Sequence, residues 1–389
     1  VVVADVWVQA GASAEPESWS GIAHFLEHMI FKGSPQVAVG EFDWVIENTG
    51  GVANAATSHD YAHFYLTTAN SHIEETLPYL ANILLQASIP DEEFIRERDV
   101  VLEEIRSSFD DPDWLGFQTL CQTLYQTHTY KRSILGEVDL LMQHTPDLMR
   151  CFHRTHYQPE NMTLVLVGGL EAEAAISLAN QAFAKFSVRS ECPTSSVEAE
   201  PPLIEVRRQE LQLPRIEQAR LLMGWIGPGI GELEVGVGLD MLSVMLAGGR
   251  CSRLVQELRE EKQIVLDICS QFSLQKDSSL FTITAWLEPQ YLDELEKIIC
   301  DRIWQLASQP FSDAEVARTK RLLLNDYIFS TETPGQLAGI YGYYQTIATV
   351  EQCLSYPEII RKMTAERLRQ IANLYLSPER YASVILKPC

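Results

Sequence analysis

No run in these 389 residues approaches the roughly 18 consecutive apolar residues of a membrane-spanning helix, the longest candidates being broken by charge or glycine. No membrane insertion is expected. Basic side chains are also scarce: 30 lysines and arginines stand against 53 acids, a formal charge of −23 that repels phosphate backbones and argues against nucleic acid as a partner. The eight cysteines, at 121, 151, 192, 251, 269, 300, 353 and 389, include no Cys-x-x-Cys pair and lie far apart. They read as reduced, mostly buried thiols of the cytoplasm or another reducing compartment, such as an organelle matrix or stroma. A phosphate loop is missing as well, because Gly227-Pro228-Gly229-Ile230-Gly231 lacks the lysine that such a loop needs and reads as a turn. The first residues, Val1 to Val8, have no basic n-region or cleavage site and read as a strand already under way.

What is present is ordinary globular material, 46% hydrophobic and 21% charged, long enough for two or three domains. The Ser-, Pro- and Glu-rich stretch from Arg189 to Pro202 reads as an interdomain linker. The two sides of it repeat weakly. His156-Tyr157-Gln158-Pro159-Glu160 leads into an apolar strand as Leu374-Tyr375-Leu376-Ser377-Pro378-Glu379 does, and Asp91-Glu92-Glu93-Phe94 opens a helix as Asp313-Ala314-Glu315-Val316 does. Alternation over 52–58 and 62–68 predicts an antiparallel hairpin, and helical periodicity runs over 74–86 and 91–109. The expected fold is α+β: two tandem homologous α/β sandwich domains, each a mostly antiparallel sheet with helices packed on one face. The expected boundaries are 1–187, a linker at 188–209, and 210–389, the second domain having no metal site.

The chemistry concentrates in Gly21-Ile22-Ala23-His24-Phe25-Leu26-Glu27-His28-Met29-Ile30-Phe31-Lys32-Gly33, with Ser20 as the expected N-cap and Gly33 as the stop. On a helix, Ile22, Phe25, Leu26, Met29 and Ile30 make one apolar face, while His24, Glu27 and His28 cluster opposite. Histidines at i and i+4 can grip one metal ion, and Glu27 points into the same space. A catalytic zinc takes three protein ligands and keeps one position open, so a third must come from elsewhere, and Glu97, Glu103 and Glu104 are candidates. His59 and His63 lie in the hairpin pattern and are given no metal role. His72, His128, His144, His153 and His156 read as capping or surface residues.

His24-x-x-Glu27-His28 followed by Glu104, with Glu97 seven residues before it, resembles the inverted zinc-binding motif of the pitrilysin, insulinase and mitochondrial processing peptidase family. The likeness continues through Gly51-x-x-Asn54-Ala55, Ser133-Ile134-Leu135-Gly136, Tyr157-x-Pro159-x-Asn161-Met162 and Gly248-Gly249-x-x-Ser252-Arg253-Leu254 to Glu260. The resemblance implies a zinc endopeptidase of the short, two-domain kind, acting on unstructured peptides in a chamber formed by paired subunits. His24, His28 and Glu104 would hold Zn²⁺, Glu27 would be the general base, and Glu97 would orient a ligand. Phe25, Asn54, Ala55 and Arg259 would touch the peptide, which would add as a strand to the edge over 52–58.

Two departures from that family pattern matter. Trp114 and Gln118 stand where arginine-selecting members carry acids, and Leu266 stands seven residues after Arg259, where the family places a tyrosine. The second departure implies the zinc-bearing subunit of a heterodimer whose homologous partner supplies an Arg/Tyr pair. The alternative is a noncatalytic scaffold or assembly subunit of the same fold.

Overall fold

The computed structural model describes every residue except 194 and 196, which fall in the expected linker. The fold is α+β. Two compact units form: one from Val1–Ser107, Arg132–Val197 and Ser330–Cys353, the other from Ser108–Lys131, Glu198–Phe329 and Leu354–Cys389. The expected boundaries at 187 and 210 follow the chain, whereas in space each unit also takes in a helical segment from the other half.

The first unit is built on β1 (Val2–Val8), β2 (Val52–Thr57), β3 (Ala62–Thr68) and β4 (Met162–Gly168), in the order β2-β3-β1-β4 with every pair antiparallel. The predicted hairpin is β2 and β3, and the two predicted helices are Ile73–Leu85 and Asp91–Phe109. Strand alternation turns Ala4, Val6, Phe64 and Leu66 to one face, where they share a core with Ile22, Phe25, Leu26, Met29 and Ile30 of helix Ile22–Ile30 and with Leu77 and Leu80 of helix Ile73–Leu85. The other face carries Asp5, Trp7, His63 and Tyr65, and helix Pro334–Ile347 packs across β1 and β4 there. That crossing needs a glycine, because a Cβ at Gly342 would run into the Trp7 indole.

The second unit holds β5 (Arg207–Leu213), β6 (Ala219–Pro228), β7 (Asp267–Ser273), β8 (Ser278–Leu287) and β9 (Ala382–Pro388), in the order β5-β9-β6-β8-β7. Only β5 with β9 is parallel among these pairs. The sub-order β9-β6-β8-β7 repeats β4-β1-β3-β2, which is the internal duplication seen as topology. Here the exchanged helix is Pro112–Leu124: its Leu120 and Leu124 join Leu222, Val384 and Leu386 in one core. Among the described residues no helix is long and apolar enough to cross a membrane.

Candidate metal centre

Helix Ile22–Ile30 is apolar along one side, with Ile22, Phe25, Leu26, Met29 and Ile30 all fully buried, so its polar side is fixed by packing. Its N-cap is Gly21 at φ 87°, not Ser20; a Cβ there would stand 2.8 Å from the Gly136 Cα, so two glycine backbones cross at the start of the helix. The free amides are taken by a residue the sequence did not single out. Glu15, fully buried, accepts the Gly21 N–H at 2.9 Å and the Ala23 N–H at 2.8 Å. Burial pushes its carboxyl up to about 8, against the pull of those amides and of Arg132.

A folded-state pKa above the unfolded one means that the native protein binds the extra proton. The associated stability is therefore complete below about pH 4.5 and disappears as pH rises through about 8. We expect wild-type stability to fall by roughly 3–5 kcal/mol across that window, and by much less in Glu15→Gln, as read from denaturant midpoints at pH 5 and pH 9. Equal slopes for the two proteins would remove Glu15 as the cause.

On the polar side, His24 Nε2 and His28 Nε2 lie 3.6 Å and 3.5 Å from the same oxygen, Glu104 Oε2. The imidazole rings meet edge to face at 4.9 Å. His24, His28 and Glu104 form the one such trio among the described residues, with candidate ligand atoms all within 4.8 Å of one another. Those spacings suit a metal: four bonds of ~2.0–2.1 Å in a tetrahedron put ligand atoms ~3.3 Å apart. Burial brings His24 down to about 4, so its ring is the neutral form that a metal requires. On His28 burial acts in the same direction but is outweighed by Glu104 and Glu97, which raise it, while the hydrogen bond from His28 holds Glu104 below its usual range.

Glu97 lies against His28. His28 Nδ1 donates to Glu97 Oε1 at 3.1 Å, which leaves Nε2 facing Glu104, and Lys32 Nζ holds the other Glu97 oxygen at 2.7 Å. His24 Nδ1 is buried without a hydrogen-bond partner. Glu27 is not part of the trio; burial raises its carboxyl, and Thr57 Oγ1 donates to its Oε2 at 2.6 Å.

The expected substrate contacts are placed unevenly. Asn54 is exposed and Ala55 half-buried on β2, an edge strand that among the described residues pairs only with β3. Phe25 is 0% exposed with its ring 4.6 Å from Phe94, so the structure makes it a core residue that a peptide cannot reach. In the second unit Arg259 is bound by Asp267 at 3.0 Å and by Glu260, and Leu266 is 52% exposed. Asp113 and Asp110, near Trp114, already pair with Arg220 and Arg215.

Several histidines differ from expectation: His128, His144 and His153 are buried, with His144 donating to the Ser20 carbonyl and His153 to that of Leu84. His59 Nε2 donates to the Arg132 carbonyl, and His63 Nδ1 to Asp5 Oδ1. All eight cysteines are free, but Cys251 and Cys389 are exposed and only Cys121 and Cys353 fully buried.

The duplication explains why the second unit holds no equivalent trio among the described residues. Met29-Ile30-x-x-Gly33 and Met245-Leu246-x-x-Gly249 align, both glycines having positive φ, and this places Asp240, Ser243 and Val244 where His24, Glu27 and His28 stand. Helices Asp91–Phe109 and Asp313–Phe329 align from their first residues, putting Asp326 opposite Glu104. One of those two acids, Asp240, is bonded by the Tyr356 hydroxyl.

The family model described as insulinase (peptidase family M16) matches residues 1–138, and the one described as the peptidase M16 inactive domain matches residues 144–323. The chain belongs to peptidase family M16. It is 27% identical to the zinc protease PqqE of Helicobacter pylori, over all of this chain and 88% of that protein. It is 26% identical to the zinc protease YmxG of Bacillus subtilis, over all of this chain and 93% of that one. A third relative, named a probable mitochondrial-processing peptidase subunit beta of Arabidopsis thaliana, is 27% identical over 98% of this chain and 73% of its own length. The crystal structure of a protease from Helicobacter pylori superimposes with a TM-score of 0.93 at 27% identity, covering all of this chain and 94% of that one. This M16 chain is thus of the short, two-domain kind.

Proposed function

We propose that this M16 chain is a zinc-dependent endopeptidase subunit that cleaves unstructured peptides within a closed dimeric chamber. The observation carrying the reading is the convergence of His24, His28 and Glu104, with Glu27 beside them on the same helix face. Zinc bound by such a set supplies a Lewis acid that polarises a scissile carbonyl and acidifies water. Glu27, raised by burial toward the range of a working base, accepts the proton of the attacking water and returns it to the leaving amine. Glu97 and Lys32 hold His28 in register, and the open edge of β2 offers main-chain groups to an extended peptide whatever its sequence.

Leu266 supports a division of labour, since a leucine gives an oxyanion no hydrogen bond; a homologous subunit bearing arginine and tyrosine would supply it. Eight free thiols suit a reducing compartment.

Purification without added metal should yield about one zinc per chain, and His24→Ala or Glu104→Ala should lower that to under about a tenth. Full occupancy in either variant would mean a different ligand set. A metal-free wild-type chain that cleaves nothing alone or with its partner would instead favour the scaffold reading.

A further inference from the structure

We infer that Thr57 is a positioning residue for the base Glu27, tying it to the edge strand beside it; this rests on the peptidase reading of the site. Thr57 closes β2, and strand alternation turns Ala53, Ala55 and Thr57 toward helix Ile22–Ile30 while Val52, Asn54 and Ala56 face the other way and are exposed. From there its hydroxyl donates to Glu27 Oε2 at 2.6 Å, the one hydrogen bond to that carboxylate among the described residues.

A glutamate side chain has three rotatable torsions, and without a fixed donor its carboxylate would swing over more than the distance a proton transfer tolerates. Threonine is a suitable anchor because its branched Cβ limits χ1 in a strand, so the donor is already aimed before any substrate arrives. With Oε2 engaged by Thr57, Oε1 is the oxygen left to take a proton. The helix that carries the base is thereby pinned to the same strand whose outer edge is open to an extended chain. His28 has its own tether through Glu97 and Lys32, so the Thr57 bond can be cut without touching a candidate ligand.

The test compares Thr57→Val, which keeps the shape and strand preference and removes the donor, with Thr57→Ser, which keeps the donor. Turnover is measured in whichever state, alone or with the partner subunit, the wild type is active. The valine variant is expected to lose ~10- to 100-fold in kcat with KM within ~3-fold and zinc content unchanged, and serine to recover most of the loss. A crystal structure of the valine variant should show the Glu27 carboxylate displaced by ~1 Å or more. Unchanged kcat in the valine variant, equal damage from valine and serine, or a carboxylate that stays in place would each overturn the inference. If the wild type cleaves no peptide in either state, the peptidase reading fails by itself, and the carboxylate position alone decides what Thr57 does.

Discussion

Glutamine at position 27 should give a protein that keeps wild-type zinc content and turns over peptide ~10²- to 10⁴-fold more slowly. The amide has the size of the carboxylate, and its carbonyl oxygen can still accept the Thr57 hydroxyl, so the helix and the His24, His28 and Glu104 trio have no reason to move. What is lost is a group able to take a proton from water at neutral pH. The measurement pairs metal analysis with single-turnover kinetics on the same sample, because loss of zinc would mimic loss of the base. Residual turnover above about a tenth of wild type in fully loaded protein would remove Glu27 from this role, since a general base contributes ~10²–10⁴ in rate.

The second large effect concerns residue 266. The purified chain should be a slow peptidase by itself and should gain ~10²–10³ in kcat when mixed with a homologous subunit bearing the Arg/Tyr pair, the range expected for one preorganised oxyanion donor. Leu266 is 52% exposed, and its backbone N–H is already bonded to the Trp286 carbonyl, so a larger side chain enters without disturbing the core. Leu266→Tyr should therefore raise the rate of the chain alone, with little change in thermal stability. A single chain that is fully active, and indifferent to both the partner and the tyrosine, would show that no donor is missing.

Features carried by local pattern could be read without the structure. The hairpin, the helix from Asp91 to Phe109 and the convergence of His24, His28 and Glu104 all rest on spacing within one element or on the spacing of one motif. Features carried by distant partners could not. Glu15 caps the metal helix from six residues before Gly21, and Thr57 reaches Glu27 across 30 positions; nothing in their neighbourhood marks either residue. Ser20 has the usual chemistry of a cap, yet Gly21 takes the position because the Gly136 backbone passes too close for a side chain. The resemblance places Phe25 against the peptide, whereas helix periodicity alone places it in the core, where the structure has it. The interleaving of the two units is also invisible to periodicity: helices Pro112–Leu124 and Pro334–Ile347 have only a weak apolar stripe, and nothing local says which sheet each one covers.

That interleaving bears on how such a chain can evolve and be engineered. Trp7 on β1 is covered by a helix encoded more than 300 residues later, and Leu222 on β6 by one encoded about 100 residues earlier. Two halves of which each unit takes in a helix from the other are not two separable cassettes. The half that carries His24, His28 and Glu104 should not fold as a stand-alone module cut at the linker unless residues 330–353 travel with it. A change in the buried side chains of either exchanged helix must be answered by the sheet it covers in the other half.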